Sequence, residues 1–152
     1  MLSQSGVYAA DTKRFIQWIF FNLYVGNNDS HAKNLSIYYT AKDDVRLTPF
    51  YDLISTSLYP DLSRKFAFKI GSEGKPSDIR KEHIEAMANS LGFKPKYVLK
   101  IAEEVSSALL TELNNVSEEI DAMASVGTEK TMVERLSQYI ASNTSSFQKR
   151  LS

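Results

Sequence analysis

The sequence predicts a mainly α domain of the α+β kind, a helical body that carries one small β-hairpin. Three observations predict it. Apolar residues recur at i, i+3, i+4 and i+7 along four stretches, which is the period of a helix with one buried face. Alternation of apolar and polar residues is confined to short segments, the clearest flanking a polar turn. Hydrophobic residues make up 43% of the 152 positions and Phe, Tyr and Trp 11%, enough to bury a core in one domain spanning residues 1–152.

The first helix is expected from Asp11, read as its N-cap, through Phe15, Ile16, Ile19, Phe20 and Leu23, with Gly26 ending it. Trp18 on that helix reads as core and not as a base-stacking platform, because no basic residues are interleaved with the aromatic ones. Leu35, Ile37 and Tyr39 alternate with Ser36, Tyr38 and Thr40, a polar turn Lys42-Asp43-Asp44 follows, and Val45 to Leu47 returns as a second strand. A third short strand is expected over Lys65 to Ile70, bounded by a Gly71-to-Pro76 loop. Ile84, Met87, Ala88 and Leu91 mark a helix stopped by Gly92; Pro95 opens another through Val98, Ile101, Ala102, Val105 and Leu109. Asn114 to Gly127 reads as a connection with one helical turn near Glu118 to Met123, and a last helix follows Thr128 through Val133, Leu136, Ile140 and Phe147.

Between the first helix and the hairpin stands Asn27-Asn28-Asp29-Ser30-His31-Ala32-Lys33-Asn34, and Phe50-Tyr51-Asp52-Leu53-Ile54-Ser55 follows the hairpin. Phosphoryl transfer by a protein kinase uses an Asp that accepts the proton of the attacking hydroxyl, an Asn five residues on that binds magnesium, and a later metal-binding Asp followed by an apolar residue. Asp29, Asn34 and Asp52 keep that order, and a hairpin between Asn34 and Asp52 is a device for bringing two metal ligands side by side. Two protein oxygens suffice for Mg2+ when a nucleotide and water complete its shell. Lys33 either steadies negative charge on the transferring group or is a surface lysine. His31, grouped with Asn34 and Asp52 in the nucleotide-binding set, is open to three roles: metal ligand, base, or brace of the loop backbone, the last being preferred. Asn27 and Asn28 are expected to shape the loop through side-chain to backbone bonds, and Ser55 to cap the next segment.

The letters NDSHAKN with TPFYDLIS resemble the C-terminal part of HipA-like serine/threonine kinases, the toxin halves of bacterial toxin–antitoxin pairs. The resemblance covers most of the chain, with its specificity in Asn28 to Asn34 and Pro49 to Ser55. His31 stands where a protein-kinase HRD loop usually has Lys and is closer to the Asp-x-His of the lipid-kinase branch, while Asn27 and Asn28 replace the His-Arg pair. The resemblance implies a kinase C-lobe fold, ATP as co-substrate with Mg2+, and a serine or threonine hydroxyl as acceptor. It also implies a DNA-binding antitoxin as partner, and substrates such as an aminoacyl-tRNA synthetase. Family members bind most of the nucleotide through an upstream N-lobe. Here only six glycines occur, none in a G-x-G-x-x-G run, so Met1 is expected near the start of a C-lobe. The chain alone is then expected to be nearly inactive until an N-lobe, fused or separate, completes it.

Basic and acidic residues balance at 18 each, which gives no support to a nucleic-acid or anionic membrane surface. Cysteine is absent, so there is no disulfide framework or thiolate chemistry, in keeping with an expected reducing cytoplasm. The longest apolar stretch, Phe15 to Val25, is too short and too polar for a bilayer span, and no signal-peptide pattern precedes it. Two rivals remain: a non-catalytic module that keeps the fold for docking, and a metal-dependent hydrolase built on Asp29, His31, Asp52 and His83.

Overall fold

A computed structural model describes residues 8–41, 44–123 and 127–152. Helix α1 spans Tyr8–Val25, strands β1 and β2 span Ile37–Tyr39 and Val45–Leu47, and helices α2, α3 and α4 span Lys81–Ser90, Pro95–Met123 and Gly127–Leu151. The fold is mainly α with one two-stranded sheet, as the periodicity predicts.

Helix α1 is the centre of the molecule. Ile16, Ile19, Phe20, Leu23 and Tyr24 are all buried and so are Trp18, Asn22 and Val25 on the rest of the circumference, too wide a face for a helix lying on a surface. The first five meet Ile84 and Met87 of α2, Val98 and Ile101 of α3 and Phe147 of α4 in one cluster. Trp18 belongs to the same core and stacks on Phe15 and Phe68 at 6.0 Å. Helices α3 and α4 run antiparallel: Ser117 Oγ meets Ser137 Oγ at 2.7 Å and Gln148 Nε2 donates to Ser106 Oγ at 3.0 Å, so residue numbers rise in opposite directions. Arg150, near the end of α4, lays its guanidinium over Phe147 at 4.0 Å and donates to the carbonyls of Pro76, Ser77 and Ile79, which fastens the last helix to the loop before α2.

The hairpin forms with Ile37 opposite Leu47, Tyr38 opposite Arg46 and Tyr39 opposite Val45. Lys42 and Asp43 of its expected turn lie outside the described residues. Asp11 does not cap α1, because the helix already includes Tyr8. Its carboxylate is fully buried and accepts bonds from the Leu47 amide at 3.0 Å, Arg46 Nε at 3.2 Å and Arg14 Nη1 at 3.4 Å. A buried acid needs such donors, and here they pin the hairpin to the first turn of the helix.

Two further expectations are corrected. Residues 65–70 are not a strand: Phe66 and Ile70 are buried, as the alternation requires, but the backbone makes only an isolated bridge between Ile70 and Glu73 and a bond from the Phe66 amide to the Gly74 carbonyl. A strand needs a neighbouring strand, and the chain here turns back only on itself. The stretch from Asn114 is helical through Met123, so α3 has 29 residues. Asn and Ser lower helix propensity by well under ~1 kcal/mol each, no Gly or Pro interrupts 96–126, and half-buried Leu113 and Ser117 keep the helical spacing that faces α4. Ala124 to Val126 lie outside the described residues. No helix among the described residues is long and apolar enough to cross a membrane.

Candidate catalytic and metal-binding loop

At the end of α1 the chain turns sharply at Gly26, whose φ of 71° is left-handed. The turn presents the Gly26 carbonyl to four donors on a later segment: the amides of Thr56 and Ser57, each at 3.0 Å, Ser57 Oγ at 2.8 Å and Thr56 Oγ1 at 3.2 Å. The Asn28 amide returns the connection by donating to Thr56 Oγ1 at 2.8 Å, and Asn28 Nδ2 donates to Ser57 Oγ and to the Ser63 carbonyl. Asn27 is buried and divides its side-chain amide between Asn22 Oδ1 at 2.8 Å and the carbonyl of Asp52 at 3.0 Å. Both asparagines therefore shape the loop through their side chains, as expected. They do more than that, since their partners lie up to 35 residues away.

Residues Ala32–Asn34 form a single 3-10 turn, closed by the Asn34 amide on the His31 carbonyl at 2.9 Å. The turn buries Asn34 and aims its amide group across the hairpin, where Nδ2 donates to Asp52 Oδ2 at 2.8 Å. Asp52 is exposed and has a φ of 58°, the one left-handed residue other than glycine among those described. Such a conformation costs about 1–3 kcal/mol and persists only where surroundings hold it. Three bonds hold this one: the Asn34 contact, the Asn27 bond to its carbonyl, and a bond made by its neighbour Tyr51, whose hydroxyl donates to the Lys33 carbonyl at 2.9 Å.

Asp29 has a side chain 72% exposed, open to a large reactant, and His31 Nε2 lies 3.6 Å from its Oδ1. The other imidazole nitrogen of His31, Nδ1, is buried and has no hydrogen-bond partner, so the ring does not brace the loop backbone as expected. Lys33 is exposed on the same turn and makes no ion pair among the described residues. Of the five residues singled out by spacing, the structure joins Asn34 to Asp52 and sets His31 beside Asp29, with Lys33 next to Asn34 in the chain.

The Asn34–Asp52 contact consumes an N–H of the amide and leaves Asn34 Oδ1 and the second Asp52 oxygen as hard donors on two side chains already in contact. That donor set fits Mg2+ completed by nucleotide and water. It does not fit a tetrahedral zinc site: among the described residues no group of three or more His, Cys, Asp or Glu converges. His83, the fourth member of the hydrolase alternative, is half-buried and accepts the Arg80 amide on Nδ1 at 3.0 Å, so it closes the first turn of α2. Ser55 does not cap a following segment. No helix starts directly after it, its buried hydroxyl has no partner, and the bonds that fasten the loop fall to Thr56 and Ser57. Those two and Tyr51 are the residues that sequence reasoning missed, whereas Gly26, expected to end the first helix, does so. The adjacent Ser-Thr-Ser letters were a faint signal for Thr56 and Ser57, and there was none for Tyr51.

Beside Asp52, Phe50 and Leu53 enter a groove of about 620 Å³, walled also by Trp18, Phe21, Val105 and Leu109. Tyr51, Leu53 and Ile54 are each more than 40% exposed, so an apolar surface adjoins the carboxylate.

A helical body whose hairpin sets an Asp-x-x-x-x-Asn loop against a second Asp belongs with the C-terminal domains of HipA-like proteins. The HipA-like C-terminal domain model matches residues 1–113, and the chain is a member of that family. The serine/threonine-protein kinase toxin HipA of Shewanella oneidensis is 33% identical over 98 residues, which are 62% of this chain and 22% of that protein. A chain in the solved complex of the Shewanella oneidensis MR-1 toxin–antitoxin system HipA, HipB and its operator DNA has the same fold, with a TM-score of 0.89 at 22% identity over 99% of this chain and 34% of that one. The chain thus spans about a fifth of the length of the curated relatives it matches.

Proposed function

We propose that this chain supplies the C-lobe half of a serine/threonine kinase active site, with residues 1–152 acting as one unit completed by a nucleotide-binding N-lobe. The observation that carries the reading is the 2.8 Å contact between Asn34 and Asp52, which sets two hard oxygen donors together across 18 residues, beside a solvent-open Asp29. In this reading Asp29 orients the substrate hydroxyl and takes its proton as the oxygen bonds to the γ-phosphorus of ATP and ADP departs. Asn34 and Asp52 hold Mg2+ against the ATP phosphates. When bound, Mg2+ supplies positive charge to the phosphate oxygens. Lys33 adds a second positive charge on the same turn, and His31 stands beside Asp29, its Nε2 3.6 Å from Oδ1.

The kinase toxin among the relatives supports a protein hydroxyl as acceptor, and an aminoacyl-tRNA synthetase is the substrate class we put forward. The HipA complex with HipB and operator DNA supports a DNA-binding antitoxin as partner, and the even balance of 18 basic and 18 acidic residues gives no support to nucleic-acid contact by this chain itself. Work in a reducing cytoplasm fits the absence of cysteine. A second reading, a docking module without catalysis, is favoured by the exposed apolar residues around Asp52.

Titration with Mg-ATP separates the two. The kinase reading expects metal-dependent binding, weak in the isolated chain, that Asp52→Asn abolishes; a docking module is indifferent to the substitution. In the protein completed by its N-lobe, Asp29→Asn should lower phosphotransfer by roughly 10²-fold to 10⁴-fold with folding intact. Activity within tenfold of the parent excludes Asp29 as the base.

A further inference from the structure

Tyr51 is exposed, yet its hydroxyl is fully committed. It donates to the Lys33 carbonyl at 2.9 Å and lies 3.0 Å from Ser36 Oγ. With its single proton given to Lys33, it accepts from the serine. Lys33 and Ser36 flank Asn34 and Leu35 on the segment that carries one candidate metal ligand, and Tyr51 adjoins the other. The bond therefore spans the same gap as the Asn34–Asp52 contact, from the residue just before Asn34 in the 3-10 turn.

Asp52 needs this second tether. Its left-handed backbone is unfavourable for a residue with a side chain, so a segment free at Tyr51 relaxes toward the extended region and swings the carboxylate away from Asn34. Asn27 fixes the carbonyl of Asp52 from one side. On the other side the fixing bond is the phenol, which reaches across because a rigid ring spans the distance with few rotatable bonds to order.

We infer that Tyr51 is the positioning residue of the Asn34–Asp52 pair: its hydroxyl, not its ring, holds the two ligands in register for a divalent cation. The inference rests on the metal-binding reading of that pair for its consequence, but not for its geometry. Tyr51→Phe removes the hydroxyl and keeps the ring, and the exposed site makes a folding failure avoidable. Two measurements on the purified chain test it. The first is the NMR signal of the Asn34 side-chain amide without metal, which Tyr51→Phe should shift and open to faster hydrogen exchange, as Asp52→Asn should, while the melting temperature stays within a few degrees. The second is Mn2+ in the presence of ATP, followed by paramagnetic broadening of the same signal, with affinity expected to fall about fivefold in Tyr51→Phe, the loss of one hydrogen bond, and less in Ser36→Ala. An unmoved Asn34 signal in Tyr51→Phe overturns the inference whatever the metal does. If the unsubstituted chain fails to bind Mn2+, the metal-binding reading falls, and the metal-free signal still decides the role of Tyr51.

Discussion

Gly26 stands where α1 hands the chain to the loop, and no other residue fits there. A Cβ would come within 2.5 Å of the Tyr139 hydroxyl and 2.6 Å of Ser57 Oγ, and the backbone is left-handed besides. Gly26→Ala should therefore cost roughly 2–4 kcal/mol, combining backbone strain with overpacking. Urea unfolding measures it, and a loss below about 1 kcal/mol contradicts the packing described. The same scale shows what the letters conveyed. Asp29, Asn34 and Asp52 stood out because their separations along the chain match a known arrangement of roles. That Asn34 touches Asp52, that Asn27 grips the Asp52 carbonyl, and that Thr56 and Ser57 lock onto Gly26 are distances through space between segments 18 to 31 residues apart. Nothing in local composition encodes them.

Among the elements, α1 depends most on a partner remote in sequence. Its last carbonyls have no helical donors, and Asn143 of α4 supplies them: Nδ2 reaches the Leu23 carbonyl at 2.9 Å and that of Tyr24 at 2.8 Å. Asn143→Ala strands both groups and should lower stability by about 1–3 kcal/mol. Faster amide hydrogen exchange across residues 26–30 should accompany it, and exchange unchanged in that loop contradicts the coupling. Helices α1 to α4 were legible because each buries one periodic face. The elements misread share a different cause. Buried Asp11 has the letter of a cap but the job of a tertiary anchor, residues 65–70 have the alternation of a strand without a neighbour, and the polar start of the α3 extension hides a helix supported from α4. In each case the deciding contact comes from elsewhere in the fold.

Over the whole molecule, one titration is set by burial. Tyr24 lies in the core against Phe20 and Phe147, with its hydroxyl donating to the Ala102 carbonyl at 3.0 Å, and desolvation pushes its phenol well above the ordinary range. The folded state holds this proton more tightly than the unfolded chain does. Its contribution is thus complete below the unfolded value near pH ~10 and is lost as pH rises from there toward the folded value. Stability should fall above that pH with a slope of up to about 1.4 kcal/mol per pH unit from this group. Tyr24→Phe should flatten that limb, and an identical alkaline slope in parent and variant removes Tyr24 as the cause.

The family match ends at residue 113, yet Tyr139 and Asn143, both beyond it, close around the mouth of the loop. This arrangement has a consequence in time. The Asn143 bonds join residues 120 and 119 positions apart, and contacts so distant form late because a long loop must first be closed. As a ribosome delivers the chain, α1 and the hairpin emerge well before α4, so the loop waits, unsupported at its mouth, for the last helix to arrive. Assembly of the candidate site is thereby tied to synthesis of α4, and a chain stopped short of that helix emerges with all three candidate residues but without the support that steadies them.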